Sequence, residues 1–199
     1  MVNSHDWFSV LKEEERVSRD MVKFGIISDT HVSDSFDDKK IDNFINVLKK
    51  YLSDVDVIIH AGDVNTEKFL ARLKEIAPVH CVAGNMDEIK ELPIDKFLEV
   101  EGQKIGIIHD IPINELDKYI EDNELNILIT GHTHVPMIKG MEEKCMRLNP
   151  GSITYPKAPP KKPGFSEPEA RPTIIILNIE NGLASAYLIP LPFKKKEKK

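Results

Sequence analysis

The chain has 199 residues, 41% hydrophobic and 30% charged, which suits one domain with a sizeable core and short extensions. A formal net charge of -6 and a pI of about 5.7 exclude strong non-specific binding to nucleic acid or anionic membrane, although a local cationic site could still attract phosphate. No apolar run approaches the ~20 residues that span a bilayer, and the first ten residues lack the apolar segment of a signal peptide, so the chain reads as cytoplasmic.

Residues 1 to 20 precede the first apolar run, and Trp7, Val10 and Leu11 fit either a short docked helix or a loose extension. Phe24 to Ile27 reads as a buried strand that ends in Ser28-Asp29-Thr30-His31. If the extended conformation continues, Asp29 and His31 point the same way. After a polar loop from Val32 to Asp38, the stretch Lys39 to Tyr51 spaces Ile41, Phe44, Ile45, Leu48 and Leu52 as a helix does. Val55 to Ile59 is a second strand, ending at His60-Ala61-Gly62-Asp63. Thr66 caps a second helix with Phe69, Leu70, Leu73 and Ile76 on its apolar side, and Pro78 stops it. Val79 to Ala83 is a third strand, ending at Gly84-Asn85-Met86-Asp87. Strand-then-helix units in series imply a parallel sheet with right-handed crossovers, whose ligands gather beyond the carboxyl ends of the strands.

The pattern then changes. Phe97 to Val100 and Ile105 to Ile108 flank Glu101-Gly102 as a hairpin whose second arm ends at His109. Glu115 to Glu121 reads as a helix, and Asn126 to Ile129 as a strand that ends at Gly131-His132-Thr133-His134. Pro136 to Met141 and Lys144 to Leu148 form a second hairpin, followed by Asn149-Pro150-Gly151-Ser152. Residues 156 to 172 hold six of the thirteen prolines and read as a long loop. Asn181-Gly182 is a hairpin turn between Thr173 to Ile179 and Leu183 to Ile189. The tail from Lys194 to Lys199 is five lysines and a glutamate, a solvated end. Cys81 and Cys145, with no CxxC spacing, read as reduced core residues.

Five strand ends thus carry metal-type side chains: Asp29 and His31; Asp63; Asn85; His109; His132 and His134. Seven ligands are too many for one ion, and two divalent ions sharing a carboxylate fit the number. Two dications less two aspartates leave a site of about +2, suited to hydroxide and a phosphate anion. Ions ~3.5–4 Å apart can activate water and clamp both the attacking and leaving oxygens at phosphorus. The mixture of imidazole and carboxylate suits Mn, Ni, Zn or Fe better than Ca or Mg. His60 alternates away from Asp63 and reads as a core or supporting residue, His80 as structural, and His5 as solvated. Phe165 reads as part of a local cluster in the proline-rich loop, or as a cap on the pocket or a dimer interface.

The ordered set Asp-x-His, Gly-Asp, Gly-Asn-x-Asp, a strand-end His and Gly-His-x-His resembles the calcineurin-like metallophosphoesterases. The short length, Gly131 to His134 and Asn149 to Ser152 are similar to the small prokaryotic phosphodiesterase branch of that superfamily. The resemblance implies an α/β fold, a four-layer α-β-β-α sandwich spanning roughly Lys23 to Ile189. Its domain is expected over residues 21 to 193, with extensions at 1 to 20 and 194 to 199. By family pattern Asp29, His31 and His134 hold one metal, Asp63 bridges, and Asn85, His109 and His132 hold the other. A metal-bridging hydroxide would attack phosphorus in line. Asp63 and Asn85 are thereby implied as catalytic, on a small phosphoester substrate, in a chain that could form a homodimer.

Two positions depart from the pattern. Many members have His where this chain has Met86, which cannot donate a proton to a leaving group. Asp87 is a candidate substitute, or a structural partner of the motif. Asp110 stands where many members have Gly; it would either orient His109 or face water. A scaffold on the same fold, like the retromer subunit that resembles this branch, is the alternative function.

Overall fold

The computed structural model describes residues 21–33, 35–141 and 145–193. The extension read at 1 to 20, with His5 and Trp7, and the lysine tail lie outside them.

Continuous apolar runs, buried on both faces, build two sheets that share a core between them. Strands β1 (Met21–Ile27), β2 (Val57–His60) and β3 (Val79–Cys81) run parallel, linked by α1 (Asp38–Leu52) and α2 (Glu67–Lys74). The Asp37 carboxylate accepts the Lys40 N–H at 2.8 Å and caps α1, and Thr66 caps α2 through the Phe69 N–H. No helix follows β3. The chain instead enters β4 (Asp95–Val100) and β5 (Gln103–Ile108), then α3 (Leu116–Asp122), β6 (Ile127–Ile129), β7 (Met137–Met141) and β8 (Cys145–Asn149). Residues 150 to 172 hold no strand or helix, and β9 (Thr173–Glu180) and β10 (Leu183–Pro190) close the chain.

The first sheet has the order β10-β9-β1-β2-β3 and the second β4-β5-β6-β8-β7. Both are mixed. Hairpins add β9 and β10 antiparallel beside β1, while β5, β6 and β8 form the parallel centre of the second sheet. Successive residues of β1 point to opposite sides. Phe24 and Ile26 join Ile59, Ile175, Leu177, Ile105, Ile107 and Ile127 between the sheets. Ile27 joins Ile58, Ile174 and the apolar sides of α1 and α2. On the far side Leu128 and Cys145 pack under Leu116 and Ile120 of α3. Helices, sheet, sheet and helix thus make a four-layer α-β-β-α sandwich. Cys81 and Cys145 are buried free thiols, pushed up by burial to about 12 and about 11, which keeps them protonated and inert. No helix among the described residues is long and apolar enough to cross a membrane.

Candidate metal centre

The carboxyl ends of β1, β2, β3, β5 and β6 meet at one edge of the sandwich, and the loops after them carry the seven residues singled out above. The local backbone differs from the extended continuation expected after β1. Asp29 and His31 are left-handed (φ 50° and 43°), as are Asp63 and Asn65 (58° and 69°) and His132 and His134 (65° and 61°). The chain must turn there because the N–H groups of Asp29 and His31 donate to the carbonyls of Gly62 and Asp63, each at 3.0 Å, rather than to a strand partner. Left-handed backbone costs an L-residue of order 1 kcal/mol or more, so surrounding contacts must hold these turns.

Those contacts are specific. Asn149 Nδ2 donates to the Gly131 carbonyl at 2.7 Å, and its Oδ1 accepts the Gly151 N–H at 2.9 Å. The Asp87 carboxylate accepts the N–H groups of Asp63 and Gly84 at 2.8 Å and that of Asn65 at 2.6 Å. Both its oxygens are taken by backbone donors, the arrangement of a structural partner. Close approach excludes any side chain at two glycines. A Cβ on Gly84 would lie 2.1 Å from Asp63 Oδ1, and one on Gly131 2.1 Å from Ser28 Oγ and 2.8 Å from Asp29 Oδ2.

Each central aspartate offers one oxygen to the frame and one to the site. Asp29 Oδ2 accepts from Ser28 Oγ (2.6 Å) and the His132 N–H (3.0 Å, and 3.2 Å to Oδ1), while Oδ1 also faces His134, His31 and His109 Nε2 at 3.3, 3.9 and 4.0 Å. Asp63 Oδ1 accepts the Met86 N–H at 2.8 Å, while Oδ2 faces His109 and His31 Nε2 at 3.4 and 3.6 Å. Asn85 Oδ1 lies 3.1 Å from His109 Nε2 and 3.0 Å from His132 Nδ1. The seven side chains converge, and they include two groups that could each hold a metal ion: Asp29, His31 and His134; and Asp29, Asp63 and His109.

The donor chemistry fits a cation. His134 Nδ1–H donates to the Tyr155 carbonyl at 2.8 Å, and His109 Nδ1–H to the Ala61 carbonyl at 2.7 Å. Both neutral rings therefore present an Nε2 lone pair to the site. His134 Nε2 faces His31 Nε2 at 3.2 Å, and His109 Nε2 faces Asn85 Oδ1 and Asp63 Oδ2, which are acceptors as well. Lone pairs so directed require a proton or a metal ion between them. Donors 2.0–2.2 Å from a tetrahedral ion stand about 3.4 Å apart, the spacing seen here. The field has the same sense. Burial pulls His109 down, but Asp63, the Ala61 carbonyl and Asp29 outweigh it and raise its pKa, and Asp29 raises that of His134. Burial would lift Asp63, but His109 and the Met86 N–H hold it below the usual carboxylate range. Burial lowers His31 despite Asp63 and Asp29.

Among the described residues, His60 and His80 stay out of the cluster. His60 is buried, contacts Thr30 Oγ1 through Nε2 at 3.0 Å, and is pushed down by burial to about 4. His80 is buried in β3. Asp110 lies 3.7 Å from His132 Nε2 and accepts the Ile111 N–H, so it faces His132 rather than orienting His109. Phe165 is 70% exposed and does not line the cleft. Sequence reasoning missed Ser28, Ser152 and Tyr155. Ser152 Oγ donates to the Asp29 carbonyl at 2.7 Å, across 123 residues that no local pattern links.

Around the cluster is an open cleft of about 540 Å³, with Met86, Tyr155 and Lys157 on its walls. A larger hollow of about 720 Å³ lies at the opposite end of the strands, against Met21, Asp54, Asp56 and Glu180, and contains no histidine.

Comparison with known proteins agrees with this geometry. The model of the calcineurin-like phosphoesterase superfamily domain matches residues 22–182. A probable metallophosphoesterase of Methanocaldococcus jannaschii is 38% identical over 176 residues, covering 84% of this chain and 80% of that protein. Two solved structures share the fold. Zinc-complexed Vps29 from Entamoeba histolytica has a TM-score of 0.60 at 23% identity, covering 85% of this chain and 99% of that one. An archaeal phosphodiesterase has a TM-score of 0.59 at 22% identity, covering 84% and 100%.

Proposed function

This chain belongs to the calcineurin-like phosphoesterase superfamily, and from that premise we propose that it is a dinuclear metal-dependent phosphodiesterase. The observation that carries the reading is the set of directed lone pairs around Asp29 Oδ1 and Asp63 Oδ2. Asp29, His31 and His134 would hold one divalent ion, and Asn85, His109 and His132 the other. Asp63 would serve both; its Oδ2 lies within 3.6 Å of both His31 and His109 Nε2, which supports that role. The zinc in the Entamoeba structure supports a transition metal of the Mn, Ni, Zn or Fe type. When bound, the pair supplies Lewis acidity and an activated water for in-line attack at phosphorus.

The chain's own residues set the conditions for that chemistry. The carbonyls of Ala61 and Tyr155 fix His109 and His134 with Nε2 toward the site. The Ser28 hydroxyl holds Oδ2 of Asp29 and the His132 N–H reaches both oxygens, leaving Oδ1 facing the histidine nitrogens. Asp87 clamps the backbone of Asp63 to the β3 loop. Met86, 55% exposed beside the cleft, brings no proton to a leaving oxygen, so departure depends on the leaving group's own acidity. Activated aryl diesters are therefore the better substrates.

A binding scaffold on this fold would have no need for seven convergent ligands, which favours the enzyme. The test is hydrolysis of bis-p-nitrophenyl phosphate by protein stripped of metal and then supplied with Mn, Ni, Zn or Mg, beside Asp63→Ala. Turnover restored by metal and lost in the variant is expected. No turnover with any ion, while two ions remain bound per chain, would transfer the weight to the scaffold.

A further inference from the structure

We propose that Tyr155 and Lys157 form a subsite for an aromatic, anionic arm of the substrate, a nucleotide-like group in preference to an alkyl or plain sugar one. The proposal rests on the phosphodiesterase reading of the same cleft.

The backbone here is fixed by specific hydrogen bonds. Ser152 Oγ donates to the Asp29 carbonyl at 2.7 Å and accepts the Tyr155 N–H at 2.9 Å. The Tyr155 carbonyl accepts from His134 Nδ1 at 2.8 Å, and the Lys157 N–H donates to the His134 carbonyl at 3.1 Å. Residues 152 to 157 are thus pinned along the flank of His134. Pro156 favours extended backbone at Tyr155, and residues two apart on such a segment leave it on the same side. Both side chains line the cleft.

Their chemistry is unspent. Tyr155 is 57% exposed, and its aromatic neighbour is the His31 ring, tilted by 73° at 5.6 Å. Among the described residues, neither the Tyr155 hydroxyl nor Lys157 Nζ is seen in a hydrogen bond or an ion pair. Lys157 is the one lysine or arginine among the described residues that line the cleft. The opposite wall offers Met86 and Asn65, with no cation. A phosphoryl group at the histidine cluster would therefore meet unequal surroundings on its two sides. On one side a preorganised ring can stack on a planar base, and a free ammonium two residues away can pair with a second anion. An alkyl or plain sugar arm has no planar base to stack and no second anion to pair.

Calorimetric titration of the metal-loaded protein with AMP, ribose 5-phosphate and adenosine 3′,5′-bisphosphate tests the subsite. Stacking predicts that AMP binds roughly tenfold more tightly than ribose 5-phosphate, and the bisphosphate more tightly than AMP. Tyr155→Ala should remove the first margin, bringing AMP down to the affinity of ribose 5-phosphate, and Tyr155→Phe should keep that margin. Lys157→Gln should remove the second margin alone. Equal binding of AMP and ribose 5-phosphate by the unaltered protein would overturn the proposal. So would equal weakening of both by Tyr155→Ala, or no binding of any of the three. Bis-p-nitrophenyl phosphate turnover by the same preparations separates the two claims. Margins without turnover would sustain the subsite and sink the phosphodiesterase reading; turnover without margins would do the reverse.

Discussion

Replacing Asp87 by asparagine separates its two roles, positioning residue and proton donor. The carboxylate accepts three backbone N–H groups, with Oδ2 taking Asp63 and Gly84 and Oδ1 taking Asn65. Asparagine keeps the shape but retains one acceptor oxygen, so its NH₂ must face at least one N–H donor. Losing a hydrogen bond to a charged acceptor in this partly buried turn costs about 2 kcal/mol. In a chain of this size that lowers Tm by roughly 4–8 °C. The Asp63 backbone, left-handed at φ 58°, loses its clamp, and its carboxylate moves relative to His31 and His109. A displacement near 1 Å costs on the order of 10²-fold in rate, and here it falls on every substrate alike, with weaker metal retention. Differential scanning calorimetry, metal analysis after dialysis, and kcat on aryl and alkyl diesters read all three effects. An unchanged Tm and metal content, with a loss confined to alkyl esters, would refute the clamp and show that Asp87 supplies the proton Met86 cannot.

Gly131→Ala should drive Ser28 and Asp29 apart, since its Cβ would lie 2.1 Å from Ser28 Oγ and 2.7 Å from the Ala61 carbonyl. A loss of 10–100-fold in metal affinity, by competition with a chromogenic chelator, is the expected scale for disturbed ligand support; unaltered affinity would contradict it. Alkyl diesters should turn over ~10²–10⁴-fold more slowly than aryl diesters for want of a general acid, with Met86→His narrowing the gap. Comparable rates in the unaltered protein would sink that reasoning. His80 is held neutral in β3, its pKa pushed down from 6.5 to about 4 by burial and then by Lys96. The unfolded chain binds that proton first as pH falls, so the contribution to stability is full above pH 6.5 and declines toward pH 4. Urea titrations of the metal-free protein should show this slope reduced in His80→Gln, and an equal slope in both would exclude His80 as its source.

The strand ends were legible because side-chain chemistry changes there. Phe24 to Ile27 are apolar and Asp29, equally buried, is a carboxylate, so the switch from apolar run to ligand marks the end of β1 in one dimension. The same holds for Val57 to His60 before Asp63 and for Ile127 to Ile129 before His132. Asn181-Gly182 took the left-handed turn that its residue types favour, and Glu101-Gly102 took the same turn with Glu in a conformation its type does not favour. What periodicity does not convey is which runs share a sheet. The placement of β9 beside β1, and the division into two sheets, depends on contacts between residues as distant as Phe24 and Leu177. The left-handed turns at Asp29 and His31 were equally illegible, because tertiary partners impose them: the Gly62 and Asp63 carbonyls and the hydroxyl of Ser152. The Tyr155 carbonyl that orients His134 leaves no side-chain signature at all.

Turnover of bis-p-nitrophenyl phosphate, measured as Mn is added stepwise to the stripped protein, tests the dinuclear centre most directly. The account predicts little turnover at one equivalent of metal per chain and saturation at two, with Asp63→Ala inactive throughout. Full activity at one equivalent, or activity that survives complete chelation, would contradict it.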